Sequence, residues 1–336
     1  MQIQQNTSLK AFNTFGIDVR AAFFAAFADK DALEGLTKMN MGMPTLILGG
    51  GSNMLFTGDF NGWVLKNTIT GIEKIGEDEA FVYIKAGGGE NWHQFVLYCI
   101  NHGWAGVENL SLIPGNMGAS PMQNIGAYGV EIKDVFHELE AFHLQEKTVA
   151  RFGLADCGFG YRESVFKGKY KGQFAITSVT LRLRKDPVFN TSYGAIVQEM
   201  DAMGVRDITI KAVSDAVIRI RTSKLPDPAI TGNAGSFFKN PQVSAQKFES
   251  LKQLYPAVVG YPAAEGTVKL AAGWLIEQCG WKGYRRGDAG CHAKQALVLV
   301  NYGNSTGKAI YDLSTEILTS VHKKFGVQLE REVNIV

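Results

Sequence analysis

The sequence predicts a chain of mixed α and β class, with strands and helices alternating in an α+β or α/β layer, spread over two or three domains. Three observations carry this. Apolar runs of strand length alternate with stretches whose apolar residues recur at helical spacing. The chain, at 336 residues, exceeds what one ordinary core accommodates. Glycine, at 38 residues or about 11% against a typical ~7%, gathers in clusters at the ends of apolar runs.

Taken in order, the polar opening MQIQQNTSLK precedes KDALEGLTKMNM, a short helix, and PTLILGGGSNMLF, a strand breaking into glycines. GWVLKN and AFVYIKAGG are further strands, and ENWHQFVLYCINHGW carries apolar residues at helical spacing. ELEAFHLQEKTVARF, with a turn-like break, and FAITSVTLRLR read as strands that close a first large unit near residue 185. VRDITIKAVSDAVIRIRTSKLPDP reads as a strand and then a helix ended by its prolines. KLAAGWLIEQCGW and STGKAIYDLSTEILTSVHKKFGV are amphipathic helices flanking the strand QALVLVN. GNAGSFFKNP, residues 232–241, fits neither the helical period nor strand alternation, which raises the question of what Ser236, Lys239 and Asn240 are held there to do.

Composition excludes several classes. Hydrophobic residues at 46%, charged residues at 20% and a net charge of +2 describe a globular chain without the broad basic field that nucleic acid requires. No run approaches eighteen apolar residues, and the opening lacks the apolar core and cleavage site of a signal peptide, so a cytoplasmic protein without membrane association is expected. The four cysteines (Cys99, Cys157, Cys279, Cys291) form no CxxC pair and the six histidines no HExxH, so reduced thiols and no metal are expected.

Glycines after a strand let backbone N–H groups approach a ligand and form an anion-binding nest. Gly49, Gly50, Gly51, Ser52 and Asn53 follow such a strand, but MLFTGDFNGW comes next with no helical pattern, so the Rossmann reading fails. In KAGGGENW, Gly87 and Gly89 precede a helix, yet Trp92 occupies the third glycine position. The stretch SLIPGNMGASPMQNIGAYG, residues 111–129, has no period and many apolar anchors. It reads as a packed loop wrapping a ligand, with Gly115, Gly118, Ser120, Asn124 and Gly126 as backbone and small polar contacts. Two such loops together point to a dinucleotide bound outside the Rossmann fold.

LGGGSNMLF (48–56), IPGNMGASPMQNIGAYG (113–129), YRES (161–164), TSKLPDP (222–228), GNAGSFFKNP (232–241), AAGWLIEQCG (271–280) and LEREV (329–333) run in one order over nearly the whole chain from about Leu9. In this set the chain resembles the UDP-N-acetylenolpyruvoylglucosamine reductases, the MurB family of peptidoglycan precursor synthesis. The resemblance implies an α+β fold: two flavin-binding subdomains, residues 1–70 and 71–219, with FAD between them, and a substrate-binding domain over 220–336, the extreme C-terminus packing back on the first. It implies non-covalent FAD, NADPH as co-substrate, and a monomeric enzyme whose TSYGAI stretch marks the longer family form, in which a tyrosine covers the substrate. To the glycine-loop residues above it adds Pro114, Ala119, Tyr128 and Gly129 as cofactor contacts.

In the implied reaction, NADPH reduces FAD and the flavin delivers hydride to the methylene carbon of an enolpyruvyl ether. Electrons are pushed into the adjacent carboxylate, so the intermediate needs cationic or hydrogen-bonding groups there and a proton donor at the neighbouring carbon. By resemblance Ser236 is that donor; chemistry alone does not separate it from Ser52 or Ser120. Arg162 offers a fork matched to a carboxylate. Glu332 is the third member, donating to the enolate when protonated and orienting Arg162 when ionised. Arg331 stands where the family commonly has proline, which predicts a looser backbone, and Glu330, two residues earlier and expected on the same strand face, competes with Glu332 for the carboxylate role. Tyr193, Arg221, Lys224, Asn233, Lys239, Asn240, Lys269 and Gln295 match substrate-contact positions. Two alternatives compete: an FAD oxidase of a sugar or hydroxy acid, disfavoured by the absence of a tethering His or Cys in either glycine loop, and a non-catalytic nucleotide-sugar binder, disfavoured by Arg162, Ser236 and Glu332 together.

Overall fold

Dense in β-branched and apolar residues, FAITSVTLRLR buries most of both faces, and Phe174–Arg184 is the central strand of a five-stranded antiparallel sheet. The sheet order is Val149–Gly153, Phe136–His143, Phe174–Arg184, Phe81–Gly87, Ile72–Glu77. Its register sets Leu139 opposite Val179 and Leu181 opposite Ile84, and these buried residues share a core with Trp92, Phe95, Val96 and Cys99 of the helix Trp92–Asn101. Asn91 caps that helix, accepting from Gln94 N at 3.0 Å, a bond of the kind that contributes about 1 kcal/mol. The computed structural model describes residues 2–40, 42–263 and 266–336.

A second sheet runs Gln4–Ser8, Arg20–Phe27, Phe60–Asn67, Thr45–Leu48, the last three parallel. Parallel strands need a crossover, and the helix Lys30–Met39, capped by Asp29, supplies it between Arg20–Phe27 and Thr45–Leu48, which flank Phe60–Asn67. Leu33 and Leu36 pack in a core with Phe27, Trp63 and Leu65, while the Phe23 ring stacks on Trp63 at 4.8 Å. Residues up to Thr7, Ala21–Gly51 and Phe60–Ser223 form one compact unit.

The other unit comprises Ser8–Arg20, Ser52–Asp59 and Lys224–Val336. Its antiparallel sheet runs Gly232–Ser236, Val298–Asn301, Ala289–Cys291, Arg285–Arg286. Against it packs the helix Gly307–Phe325, whose buried Ile310, Leu313, Ile317 and Val321 fall at helical spacing. A Cβ on Gly307 would stand 1.6 Å from the Phe56 carbonyl oxygen, so only glycine fits where the helix starts. A three-stranded sheet (Gln242–Ser244, Thr267–Leu270, Gly260–Pro262) and the helices Ala245–Leu254 and Ala272–Gln278 accompany it. The strand Asn334–Ile335 at the C-terminus pairs in parallel with Met54–Leu55.

Three local readings are corrected. Residues 205–209 form no strand: Thr209 Oγ1 accepts from Ala212 N at 3.1 Å and its carbonyl from Val213 N at 3.0 Å, so VRDIT is the lead-in to the helix Ile210–Lys224. GNAGS is a strand after all, because pairing with Val298–Asn301 organises it where its small side chains cannot. KLAAGWLIEQ divides into the end of a strand, Thr267–Leu270, and the helix Ala272–Gln278.

Candidate functional site

In the first unit the glycine loops converge. Gly49, Gly50 and Gly51 lie at the end of the parallel strand Thr45–Leu48, and a Cβ on Gly50 would stand 2.8 Å from Asn116 Oδ1 and 2.9 Å from Gly115 Cα. A ladder of backbone bonds ties residues 115–118 to the KAGGGENW turn: Trp92 N to Gly115 O at 3.0 Å, Met117 N to Glu90 O at 2.8 Å, Gly118 N to Gly88 O at 2.9 Å. Asn116 Nδ2 donates to Gly89 O and completes it. A Cβ on Gly88 would lie 2.3 Å from Ile176 O, so glycine is needed for packing in KAGGG. Asn116 carries no signal in the sequence that sets it apart from other loop asparagines, whereas the glycines of KAGGG, closing a strand, do signal a close approach of backbone.

These loops fit a dinucleotide's diphosphate. Residues 49–53 and 113–129 contain no acidic side chain. Lys66, opposite Leu48 in the sheet, donates its ammonium to Gly49 O, and burial holds its pKa below the ordinary lysine value. Among the other predicted contacts, Pro114, Ala119 and Gly129 are exposed, while Ser120 is buried with its hydroxyl donating to Met117 O at 2.7 Å. Asn124 is fully buried: Nδ2 donates to Glu131 Oε2 and Gly160 O, both at 2.9 Å, and Oδ1 accepts from Lys133 N at 3.2 Å. Its amide holds loops together.

Those loops hold Arg162. Its backbone is left-handed at φ +56, its Nη2 donates to Gly126 O, its Nη1 lies 3.6 Å from Glu131 Oε1, and its side chain is 17% exposed. Gly126 leaves the room, since a Cβ there would be 2.9 Å from Nη1. Strand residues Gly126–Ala127 and Val130–Glu131 form a hairpin whose turn, Tyr128 and Gly129, has φ +50 and +81. The turn is braced by Asn109 Nδ2, which bonds Tyr128 O at 3.0 Å and Asn190 O at 2.8 Å. Tyr193, in the predicted tyrosine stretch, meets the Tyr128 ring edge-on at 5.4 Å. Burial raises the Tyr128 pKa, and the Arg221 guanidinium beside it counters that. Arg221 Nε donates to Leu112 O at 3.2 Å, and burial lowers its pKa.

The second unit carries Ser236 at the end of its strand. Gly235 turns the chain at φ +69, its N–H donating to Asn233 Oδ1 at 2.9 Å, while Asn233 Nδ2 donates to Pro226 O at 3.1 Å and Thr231 O at 2.9 Å. Asn233, expected on the substrate, is buried with its amide committed to this turn. Phe237 and Phe238 are buried anchors, as their apolar bulk predicts. Residues 237–239 run antiparallel beside 330–332: Lys239 N donates to Glu330 O at 2.9 Å and Glu332 N to Phe237 O at 2.8 Å. Glu330, its side chain 72% exposed, pairs with Lys239 Nζ at 3.5 Å, whereas Glu332 is half-buried. Asn53 Nδ2 donates to Glu332 O at 3.3 Å, and Ser52 is half-buried beside it in sequence.

The remaining predicted contacts are dispersed over this unit. Asn240 Oδ1 accepts from Ala272 N at 2.9 Å at the start of a helix, and Gln295 Oε1 accepts from Leu297 N at 3.3 Å. Lys269 is half-buried between Gln242 and Tyr261 in its sheet, and Lys224 is exposed at the end of its helix. Among the described residues no group of three or more His, Cys, Asp or Glu could hold a metal ion, and no helix is long and apolar enough to cross a membrane.

Residues 24–150 match the model of an FAD binding domain, and residues 227–336 that of the UDP-N-acetylenolpyruvoylglucosamine reductase C-terminal domain. Curated relatives include the UDP-N-acetylenolpyruvoylglucosamine reductases of Amoebophilus asiaticus, 50% identical over 339 residues, and of Flavobacterium johnsoniae, 49% identical over 337 residues; each alignment covers 100% of both chains. Among solved structures, UDP-N-acetylenolpyruvylglucosamine reductase from Thermus caldophilus shares the fold at a TM-score of 0.70 and 22% identity, covering 100% of this chain and 99% of that one.

Proposed function

The chain belongs to the UDP-N-acetylenolpyruvoylglucosamine reductase family, and from that premise we propose which of its own residues carry the reaction. It is an oxidoreductase of peptidoglycan precursor synthesis with FAD as cofactor and NADPH as co-substrate. When bound, FAD would supply the transfer of hydride from NADPH to the methylene carbon of the enolpyruvyl ether of UDP-N-acetylglucosamine, the product being UDP-N-acetylmuramate. As hydride arrives, charge accumulates on the substrate carboxylate and the neighbouring carbon requires a proton.

Ser236 Oγ supplies that proton. A hydroxyl is a weak acid, but the enolate carbon is a strong base, so a neutral hydroxyl donates where its alkoxide is stabilised, a setting supplied by Lys239, Asn240 and the surrounding backbone. Arg162 takes the developing carboxylate charge. Its fork is already oriented by Gly126 O and Glu131, which lowers the ordering cost of bidentate pairing. Glu332 rather than Glu330 is the acting carboxylate; the exposure of Glu330 and its ion pair to Lys239 support this choice. FAD is held by the backbone of Gly49–Gly51, Pro114, Gly115, Gly118 and Ala119, with Ser52, Asn53, Tyr128 and Gly129 around it. Tyr193, Arg221, Lys224, Lys239, Asn240, Lys269 and Gln295 meet the nucleotide sugar.

The observation that carries this reading is the 2.8 Å bond from Glu332 N to Phe237 O, which sets the serine and glutamate segments side by side despite their separation in sequence. Ser236→Ala is the test, followed anaerobically in the visible flavin band. Bleaching by NADPH should stay near the wild-type rate, while return of the band on adding the enolpyruvyl sugar should slow by about 10²–10⁴-fold. Equal loss in both half-reactions would assign Ser236 a structural role instead.

A further inference from the structure

Glu330–Arg331–Glu332 pairs with Phe237–Phe238–Lys239 so that Arg331 lies opposite Phe238. Side chains alternate along an extended segment, so Arg331 faces one side and Glu330 and Glu332 the other. Arg331 is tied firmly to its side. Its Nε donates to Ser314 Oγ at 2.8 Å, its Nη2 to Thr315 Oγ1 at 2.6 Å, and its guanidinium lies 4.3 Å from the Tyr311 ring centroid. Tyr311, Ser314 and Thr315 share one face of the helix Gly307–Phe325 at i, i+3 and i+4. Both hydroxyls donate to Tyr311 O, at 2.6 Å and 3.1 Å, which turns their lone pairs toward the guanidinium. The backbone is therefore tightened by Arg331, where the sequence predicts loosening.

We propose that Arg331 is a positioning residue for the reductive reaction, fixing the face and register in which Glu332 is presented. A slip of one residue would turn Glu332 to the opposite face. The proposal rests on the reading of Glu332 as the acting carboxylate. Proline at this position would restrict φ directly and cost no ladder bond, because the two cross-strand bonds use the N–H groups of Lys239 and Glu332, leaving that of residue 331 pointing away from its partner.

The experiment uses holoenzyme and compares Arg331→Ala, Arg331→Pro, Glu332→Gln and the double variant Arg331→Ala/Glu332→Gln in both half-reactions. Arg331→Ala should slow flavin reoxidation by the enolpyruvyl sugar about tenfold, or about 1.4 kcal/mol, with flavin reduction by NADPH unchanged. Arg331→Pro should recover most of that rate. The double variant should be no slower than Glu332→Gln alone, since Arg331 acts only through Glu332. Multiplying effects in the double variant, a proline variant as slow as alanine, or Arg331→Ala at the wild-type rate beside a slow Glu332→Gln would each overturn the proposal. A wild-type rate in Glu332→Gln would instead remove the reading of Glu332, and the proposal with it. If Arg331→Ala yields no holoenzyme, Arg331→Lys, which keeps the charge and loses the fork, carries the same comparison.

Discussion

Replacing Gly50 by alanine asks whether the convergent glycine loops are the flavin cradle. The added Cβ would stand 2.8 Å from Asn116 Oδ1, 2.9 Å from Gly115 Cα and 3.4 Å from the Gly115 carbonyl carbon, where comfortable contact needs about 3.5–4 Å. Asn116 can swing aside only by giving up its bond to Gly89 O, a loss of about 1 kcal/mol. Gly115 can retreat only against the bond from Trp92 N to its carbonyl. One methyl forced into such packing costs about 1–3 kcal/mol. If the strain falls on loops that hold FAD, Kd rises about 5- to 150-fold. The assay is titration of stripped protein with FAD, read by quenching of flavin fluorescence, with the apo-protein Tm measured alongside. Gly58→Ala is the control, since nothing lies within 4 Å of its Cβ. A Gly50→Ala protein binding FAD within about twofold of wild type would refute the cradle, whatever its Tm.

Two further outcomes follow from buried titratable groups. His93 Nδ1 accepts from Leu112 N at 3.0 Å, and burial, then the charge of Arg221, hold its pKa below the ordinary value. A depressed folded pKa means the unfolded chain binds the proton first. The contribution is therefore present above the unfolded value near ~6.5 and lost as pH falls from there through the lower folded pKa. Tm should drop as pH falls below about 6.5, less steeply in His93→Gln; parallel profiles would contradict this. Burial pushes the Cys157 and Cys291 thiols up to about 12 and raises Cys99 as well. At about pH 8 the native protein should resist thiol reagents at these three positions and react at all four cysteines in urea. Mass-spectrometric mapping of rapid native labelling at Cys157 or Cys291 would count against it.

The strands and helices with clear periods were legible: FAITSVTLRLR, AFVYIKAG, the helix from Trp92 and the helix from Gly307 all lie where their patterns put them. Arg20–Phe27 was not, because RAAFFAAF is a parallel strand whose apolar run has no alternation to read. Gly194–Ala202 escaped because a glycine opens the helix and Tyr193 before it supplies no side-chain cap. That Ser8–Arg20 and Ser52–Asp59 join the C-terminal unit has no local signal: it depends on partners far along the chain, such as Asn334–Ile335 against Met54–Leu55. In the loops, strand-ending glycines announced close backbone approach, whereas Asn116 looked like any loop asparagine. Only the partners at Gly89 and Gly50 distinguish it.

Asn124 and Asn233 share an arrangement that bears on how ligands are recognised here. In each, both amide hydrogens go to separate acceptors and the oxygen accepts a backbone N–H. Turning either toward a ligand would strand buried partners, at about 1–3 kcal/mol each, for one new bond contributing about 1 kcal/mol. Such residues therefore stay where they are and act by fixing others: Asn124 the loop that orients Arg162, Asn233 the turn before Ser236. On the proposed reading, direct contact falls to backbone N–H on the glycine loops and to the other side chains assigned above to the ligands. Contacts of that kind are set before the ligand arrives and need little reorganisation as charge develops, which is the condition under which weak donors such as a serine hydroxyl become effective.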